Sequence, residues 1–177
     1  SGRAVNFTWS GNKLLSAIDP AGNVYSYTYL NNRFGTNLHL LSTVSRPGTP
    51  ASSTTYHYED SRYLGGLTGK SINGARYSTF AYDSSQRAIL SKHSGDVDMY
   101  QFSYTGTGSA VTQAIVTNPL GKKTTYAFNN GRITNVTGAA STYCLGSFKE
   151  TSYDSNGYPD LQADFENGMN DYDYNAK

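Results

Sequence analysis

At 177 residues with 14 basic and 13 acidic side chains, a formal net charge of +1, the chain has no field to hold nucleic acid or an anionic membrane. No apolar run approaches the roughly 18 residues that span a bilayer, and the opening SGRAVNF lacks the charged-then-apolar layout of a signal peptide. The single cysteine, Cys144, excludes an internal disulfide framework and a four-cysteine zinc site.

Sixteen tyrosines and eighteen glycines, with abundant Ser, Thr and Asn and few strong helix formers, point to an all-β chain with no substantial helix. In chain order the first expected elements are an aromatic strand (VNFTW), an apolar strand (LLSAI at 14–18), a turn (DPAGN at 19–23) and a strand carrying Tyr27 and Tyr29 two residues apart. Two-residue spacing places both rings on one face of a strand. An irregular insertion at 30–38 follows, then the turn RPGTP and the pair Tyr56/Tyr58. Next come INGA with Phe80/Tyr82, HSGD with Phe102/Tyr104, and NPLG with Tyr126/Phe128. After a second insertion at 137–147, Tyr153 stands alone in SYDSNG with Thr151 in its partner's place, and ENGMN leads to Tyr172/Tyr174. The second members of successive pairs up to Phe128 fall 29, 24, 22 and 24 residues apart, and Tyr174 lies 46 residues on, two such periods. Seven copies of one unit are therefore expected: apolar strand, Pro/Gly turn, aromatic strand, second turn. The expected fold is a run of antiparallel β-hairpins forming a curved, extended sheet.

The stronger copies carry a compact motif, an aromatic, one residue, an aromatic, often Asp, then Asn or Ser with Gly, best seen in FAYDSSQ, SYDSNGY and YDYNAK. With DPAGNVYSYTY, the set resembles the YD-repeat, or rearrangement hotspot (Rhs), family, and the resemblance covers essentially the whole chain. It implies a segment of a spiralling hollow shell around an enclosed C-terminal toxin in a secreted or contact-delivered bacterial protein. The partners so implied are neighbouring repeats and the enclosed toxin polypeptide. The chain opens and stops in mid-unit, so it is expected to be a fragment of a longer shell whose open edges pair with further repeats or with a second copy.

Chemistry-bearing residues are sparse in pattern. His39, His57 and His93 lie in different units without a ligand-spaced partner, and the acid clusters HYED (57–60) and HSGDVD (93–98) read as turn chemistry. TGTGSAV at 105–111 lacks the strand-to-helix setting of a nucleophile elbow. Asp96, Asp98, Asp160, Asp164, Glu166, Asp171 and Asp173 fall at turns and strand ends. No catalytic residue, metal or cofactor is expected, and the chain is not expected to be an enzyme. The feature left to carry function is the aromatic row Tyr27, Tyr29, Tyr56, Tyr58, Phe80, Tyr82, Phe102, Tyr104, Tyr126, Phe128, Tyr153, Tyr172 and Tyr174, expected as a structural ladder. The alternative is a cell-surface module that binds carbohydrate or protein through exposed tyrosine.

Overall fold

The computed structural model describes residues 3–30, 39–108, 110–138 and 148–175. Most of the two expected insertions, residues 31–38 and 139–147 with Cys144, lies outside the described residues. Fifteen antiparallel strands stand in one open sheet in chain order, with no crossover. The one helical element among the described residues is a short 3-10 turn at Ser94–Asp96.

Two compact units divide the chain, one up to Val97 and one from Asp98. The first holds β1 (Asn6–Ser10), β2 (Lys13–Ile18), β3 (Val24–Leu30), β4 (Leu40–Arg46), β5 (Ser52–His57), β6 (Gly69–Ile72), β7 (Ala75–Tyr82) and β8 (Ala88–His93). The second holds β9 (Tyr100–Thr105), β10 (Gln113–Thr117), β11 (Lys123–Asn129), β12 (Arg132–Thr137), β13 (Phe148–Tyr153), β14 (Pro159–Asp164) and β15 (Met169–Asp171).

Two kinds of turn connect these strands, and side-chain chemistry selects each. The Asn73-Gly74 and Asn130-Gly131 turns carry positive φ at both residues, 49° and 83° in the first and 49° and 76° in the second. That is the backbone of the two-residue hairpin loop whose twist matches its flanking strands. The other kind recurs at 19–23, 83–87, 118–122, 154–158 and 164–168. Its first residue, Asp or Asn, accepts backbone N–H bonds two and four positions on at 2.7–3.0 Å. In all five the fourth residue has positive φ: Gly22 84°, Gln86 62°, Gly121 75°, Gly157 86° and Asn167 67°. A short side chain with an oxygen two bonds from Cβ is what such a turn needs. The Asp of the recurrent motif is therefore a turn former.

Very little apolar surface is fully enclosed. Ala17, Val44 and Ala114 are the buried hydrophobic residues among those described, and each sits on the middle strand of three. Ala17 stands between Phe7 and Tyr25, Ala114 between Tyr104 and Tyr126, and Val44 between Tyr27 and Thr54. A small side chain flanked by rings lets the rings close over it, which buries area without a second layer. The accessible surface, 11,924 Å², exceeds the roughly 8,400 Å² of a compact monomer of this mass. The opposite face of the first unit is hydroxylic: Thr8, Ser16, Ser26, Ser45 and Ser53 align across β1–β5, and Thr28, Thr43, Thr55 and Ser71 across β3–β6.

Candidate functional site

The aromatic pairs hold the periodic feature of the molecule. Tyr27 and Tyr29 lie on β3, Phe80 and Tyr82 on β7, Phe102 and Tyr104 on β9, and Tyr126 and Phe128 on β11. Tyr56 is on β5, Tyr58 falls one residue past its end, Tyr153 closes β13, and Tyr172 and Tyr174 follow β15. Within each unit the pairs, Tyr27 to Tyr82 in the first and Phe102 to Phe128 in the second, therefore recur on alternate strands about 10 Å apart, with a strand of smaller side chains between them. The cross-strand neighbours of the first members are Val44 for Tyr27, Lys70 for Tyr56, Ser91 for Phe80, Val116 for Phe102, and Ala114 and Val136 for Tyr126. Row members meet other rings at Tyr63–Tyr82, 4.9 Å and 88°, and at Tyr158–Tyr174, 5.2 Å and 36°.

The second aromatic has a separate task. The ladder register shifts immediately before Trp9, Tyr29, Tyr82 and Phe128, and between Thr151 and Tyr153. In the first four the extra residue stands on the following strand, Leu15, Ser42, Ile89 and Thr134, so the bulge bends that partner strand beside the second aromatic. On the other side the tyrosine hydroxyl reaches back onto the preceding hairpin: Tyr29 donates to the Leu14 carbonyl at 3.0 Å, Tyr82 to Leu67 at 2.8 Å and Tyr153 to Ile133 at 2.9 Å. Tyr58 does the same to Leu41 at 3.1 Å. The hydroxyl takes over where the ladder ends. Pairing of β2 with β3 stops at Ser16–Ser26, and that of β4 with β5 at Thr43–Thr55, just short of the clasped carbonyls. Each tyrosine thus closes the gap where neighbouring strands splay and satisfies a carbonyl that has lost its N–H. Phe128 has no hydroxyl, and its own N–H bonds the Thr112 carbonyl at 2.8 Å instead. Burial pushes the Tyr58 and Tyr82 phenols above their usual range.

A polar cluster on β5–β7 brings together residues far apart in sequence. Ser71 Oγ and His57 Nε2 share a hydrogen bond of 2.8 Å, and His57 Nδ1 lies 3.7 Å from a Glu59 carboxylate oxygen. Serine, imidazole and carboxylate in that order have the connectivity of a nucleophilic triad. The geometry serves packing instead. Ser71 is 6% exposed, so a substrate has no approach to its oxygen. The Glu59 carboxylate takes its hydrogen bonds from Arg76, at 3.0 and 3.1 Å, and from the Thr68 hydroxyl at 3.0 Å, and only approaches the imidazole. Those bonds, Arg76 foremost, hold Glu59 below the usual carboxylate range. Arg76 also donates to the Ser78 carbonyl at 3.0 Å and the Thr68 carbonyl at 2.9 Å. It runs so close over Gly69 that a Cβ there would collide with the guanidinium and the Ser78 carbonyl. The cluster fastens the connection of residues 58–68 onto β6 and β7. Within that connection the Tyr63 ring lies on Gly66 and against Tyr82.

His93 packs against Tyr77 at 4.8 Å with the rings tilted by 51°. Among the described residues no three His, Cys, Asp or Glu side chains converge as a metal site. Also among the described residues, no helix is long and apolar enough to cross a membrane. In the second unit a groove of about 460 Å³ lies between β12 and β13, lined by Asn130, Arg132, Glu150, Tyr153 and Asp154 among others, and a wider one of about 920 Å³ is lined by Tyr158, Asp160, Tyr172 and Tyr174 among others. Comparison of the chain with protein-family models and with curated proteins finds no match.

Proposed function

We propose that this chain is a wall segment of a YD-repeat shell, a structural element whose partners are further repeats and an enclosed polypeptide. The observation that carries this reading is the coupling of two devices in one motif. In Tyr82-Asp83 and Tyr153-Asp154 the tyrosine clasps the hairpin behind while the aspartate shapes the turn ahead. A motif that does both adds strand after strand without a central core, and so builds a wall of any length. The hydroxyl rows of one face support the same reading, because Ser and Thr offer a wetted surface to which an enclosed unfolded chain has little tendency to adhere. A secreted or contact-delivered bacterial toxin is the setting that fits, with the enclosed chain its C-terminal effector and the open sheet edges the sites of continuation or self-association. The role is architectural, and the His57–Ser71–Glu59 arrangement belongs to the wall.

The parent polypeptide tests this. Electron microscopy combined with limited proteolysis is expected to show hairpins continuing into a hollow body, with a C-terminal segment that resists protease until the wall is opened. A parent with a short repeat sheet, no enclosed volume and a protease-accessible C-terminal region would end the shell reading.

A further inference from the structure

Four Asn-Gly dipeptides stand in the turns of this chain, beginning at Asn73, Asn130, Asn156 and Asn167. Each sets a side-chain amide carbon beside a backbone nitrogen that no Cβ shields, because the next residue is glycine. An intramolecular attack of that nitrogen on that carbon needs a side chain free to swing and an N–H free to be given up. The four turns differ in what they leave free. Between β6 and β7 the side chain is held: Asn73 Oδ1 accepts the Ser53 N–H at 2.8 Å. Between β13 and β14 the nitrogen is held, because Gly157 donates to the Asp154 carbonyl at 3.0 Å. Between β14 and β15 both are held: Asn167 Oδ1 accepts from Lys149 Nζ at 2.7 Å, and Gly168 donates to the Asp164 carboxylate at 2.7 Å. Of the four, only the β11–β12 turn holds neither. Asn130 and Gly131 are exposed, and among the described residues neither the Asn130 side chain nor the Gly131 N–H makes a hydrogen bond.

We propose that Asn130 is the preferred site of deamidation in the folded chain, with water as the only co-reactant. The Gly131 nitrogen, its proton passed to hydroxide, forms a bond to Asn130 Cγ. The Cγ–Nδ2 bond breaks, and the amide nitrogen leaves as ammonia with a proton taken from water. Water then opens the resulting imide ring at either of its two carbonyls, giving aspartate or isoaspartate; nothing is oxidised or reduced. Each hydrogen bond that must first break slows ring closure by about five-fold, the equivalent of about 1 kcal/mol. Asn73 and Asn156 each face one such bond, and Asn167 faces both kinds. Isoaspartate adds an atom to the backbone of a two-residue loop whose twist matches its strands, so this product loosens the β11–β12 hairpin from its tip. A wall segment and a free-standing module would carry the site equally.

The test is incubation of the whole folded chain at mildly alkaline pH, with all four sites followed over time by peptide mass spectrometry beside a sample unfolded in urea. In the folded chain Asn130 is expected to react first, about five-fold or more ahead of Asn73 and Asn156, with Asn167 last. In urea the four rates are expected to draw together, because each held site then loses the bonds that protect it. In the isoaspartyl product the amides of Asn129 and Arg132, paired across this turn, are expected to exchange with solvent faster than in the parent chain. Reaction led by another of the four, or none at Asn130, would overturn the inference. So would the same spread of rates kept in urea, since neighbouring sequence and not the fold would then set the preference. Unchanged exchange at Asn129 and Arg132 would overturn the loosening of the hairpin.

Discussion

Replacing Tyr82 by Phe removes one oxygen and isolates what the hydroxyl contributes. The ring stays, so its edge-on contact with Tyr63 at 4.9 Å and 88° is kept. What disappears is the 2.8 Å bond to the Leu67 carbonyl, at the end of the ladder where no backbone N–H replaces it. A buried acceptor left without a donor costs about 1–3 kcal/mol. Tyr82 is half-buried, so water partly re-solvates the carbonyl and the expected loss is about 1–2 kcal/mol. With a urea dependence of about 2 kcal/mol per molar, the unfolding midpoint falls by about 0.5–1 M. Tyr27→Phe and Tyr56→Phe are the controls, since those first members of their pairs have no hydroxyl bond in the structure, and each is expected within about 0.5 kcal/mol of wild type. Urea unfolding followed by tyrosine fluorescence reads all three. Equal losses for Tyr82→Phe and the controls, or none for any, would refute the clasp and return the tyrosines to plain cross-strand packing.

Other consequences follow from the turns and the close approaches. Gln86 holds φ 62° where three equivalent turns place glycine, so Gln86→Gly is expected to raise stability by about 0.5–1 kcal/mol in thermal unfolding; a loss would mean the strain is offset by contacts of the Gln86 side chain. Asn118→Asp is expected to be close to neutral because Asp fills that place in four sister turns, whereas Asn118→Ala should cost about 0.5–2 kcal/mol; equal effects would remove the side-chain oxygen from the account. Asp83 is held below the usual carboxylate range, first by the Arg87 backbone N–H and also by the Arg87 side chain. A depressed folded pKa lends stability above the unfolded value, near pH 4, that is lost as pH falls through the folded one. Asp83→Asn is therefore expected to flatten part of the acid limb of a stability-against-pH curve, and an unchanged limb would contradict it. Gly69→Ala, forced against the Ser78 carbonyl and Arg76, should cost upwards of about 2 kcal/mol in the same urea assay, and a tolerated alanine would show that the β6–β7 crossing is looser than described.

Local chemistry was legible in the sequence and distant chemistry was not. Rings two residues apart, Asn-Gly dipeptides and Asp-Pro or Asp-Ser starts encode strand and turn within a few residues, and the fifteen antiparallel strands and their turns follow those signals. Tyr82 reaches Leu67, fifteen residues earlier, and Tyr153 reaches Ile133, twenty earlier; these bonds depend on where neighbouring segments end their pairing, which no short pattern specifies. The HYED cluster read as turn chemistry because its partner is hidden: Glu59 is claimed by Arg76, seventeen residues on, across the connection of residues 58–68. The connection itself has no repeat signature, because Tyr63, Gly65 and Gly66 match nothing in the other units. One signal was available, since Asp or Asn followed by a glycine three residues later marks three of the five side-chain-capped turns. Arg132 and Glu150, eighteen residues apart and lining one groove, carried no signal, because that nearness depends on how β12 and β13 lie side by side.

The claim that the hydroxyl, and not the ring, joins hairpin to hairpin is tested most directly by tyrosine hydroxyl exchange. In a chain labelled at tyrosine Cζ and dissolved in mixed light and heavy water, a slowly exchanging hydroxyl splits its carbon resonance into two isotope-shifted lines. Split lines are predicted for Tyr29, Tyr58, Tyr82 and Tyr153, and single averaged lines for Tyr27, Tyr56 and Tyr126. Averaged lines for the four clasping tyrosines would contradict the account.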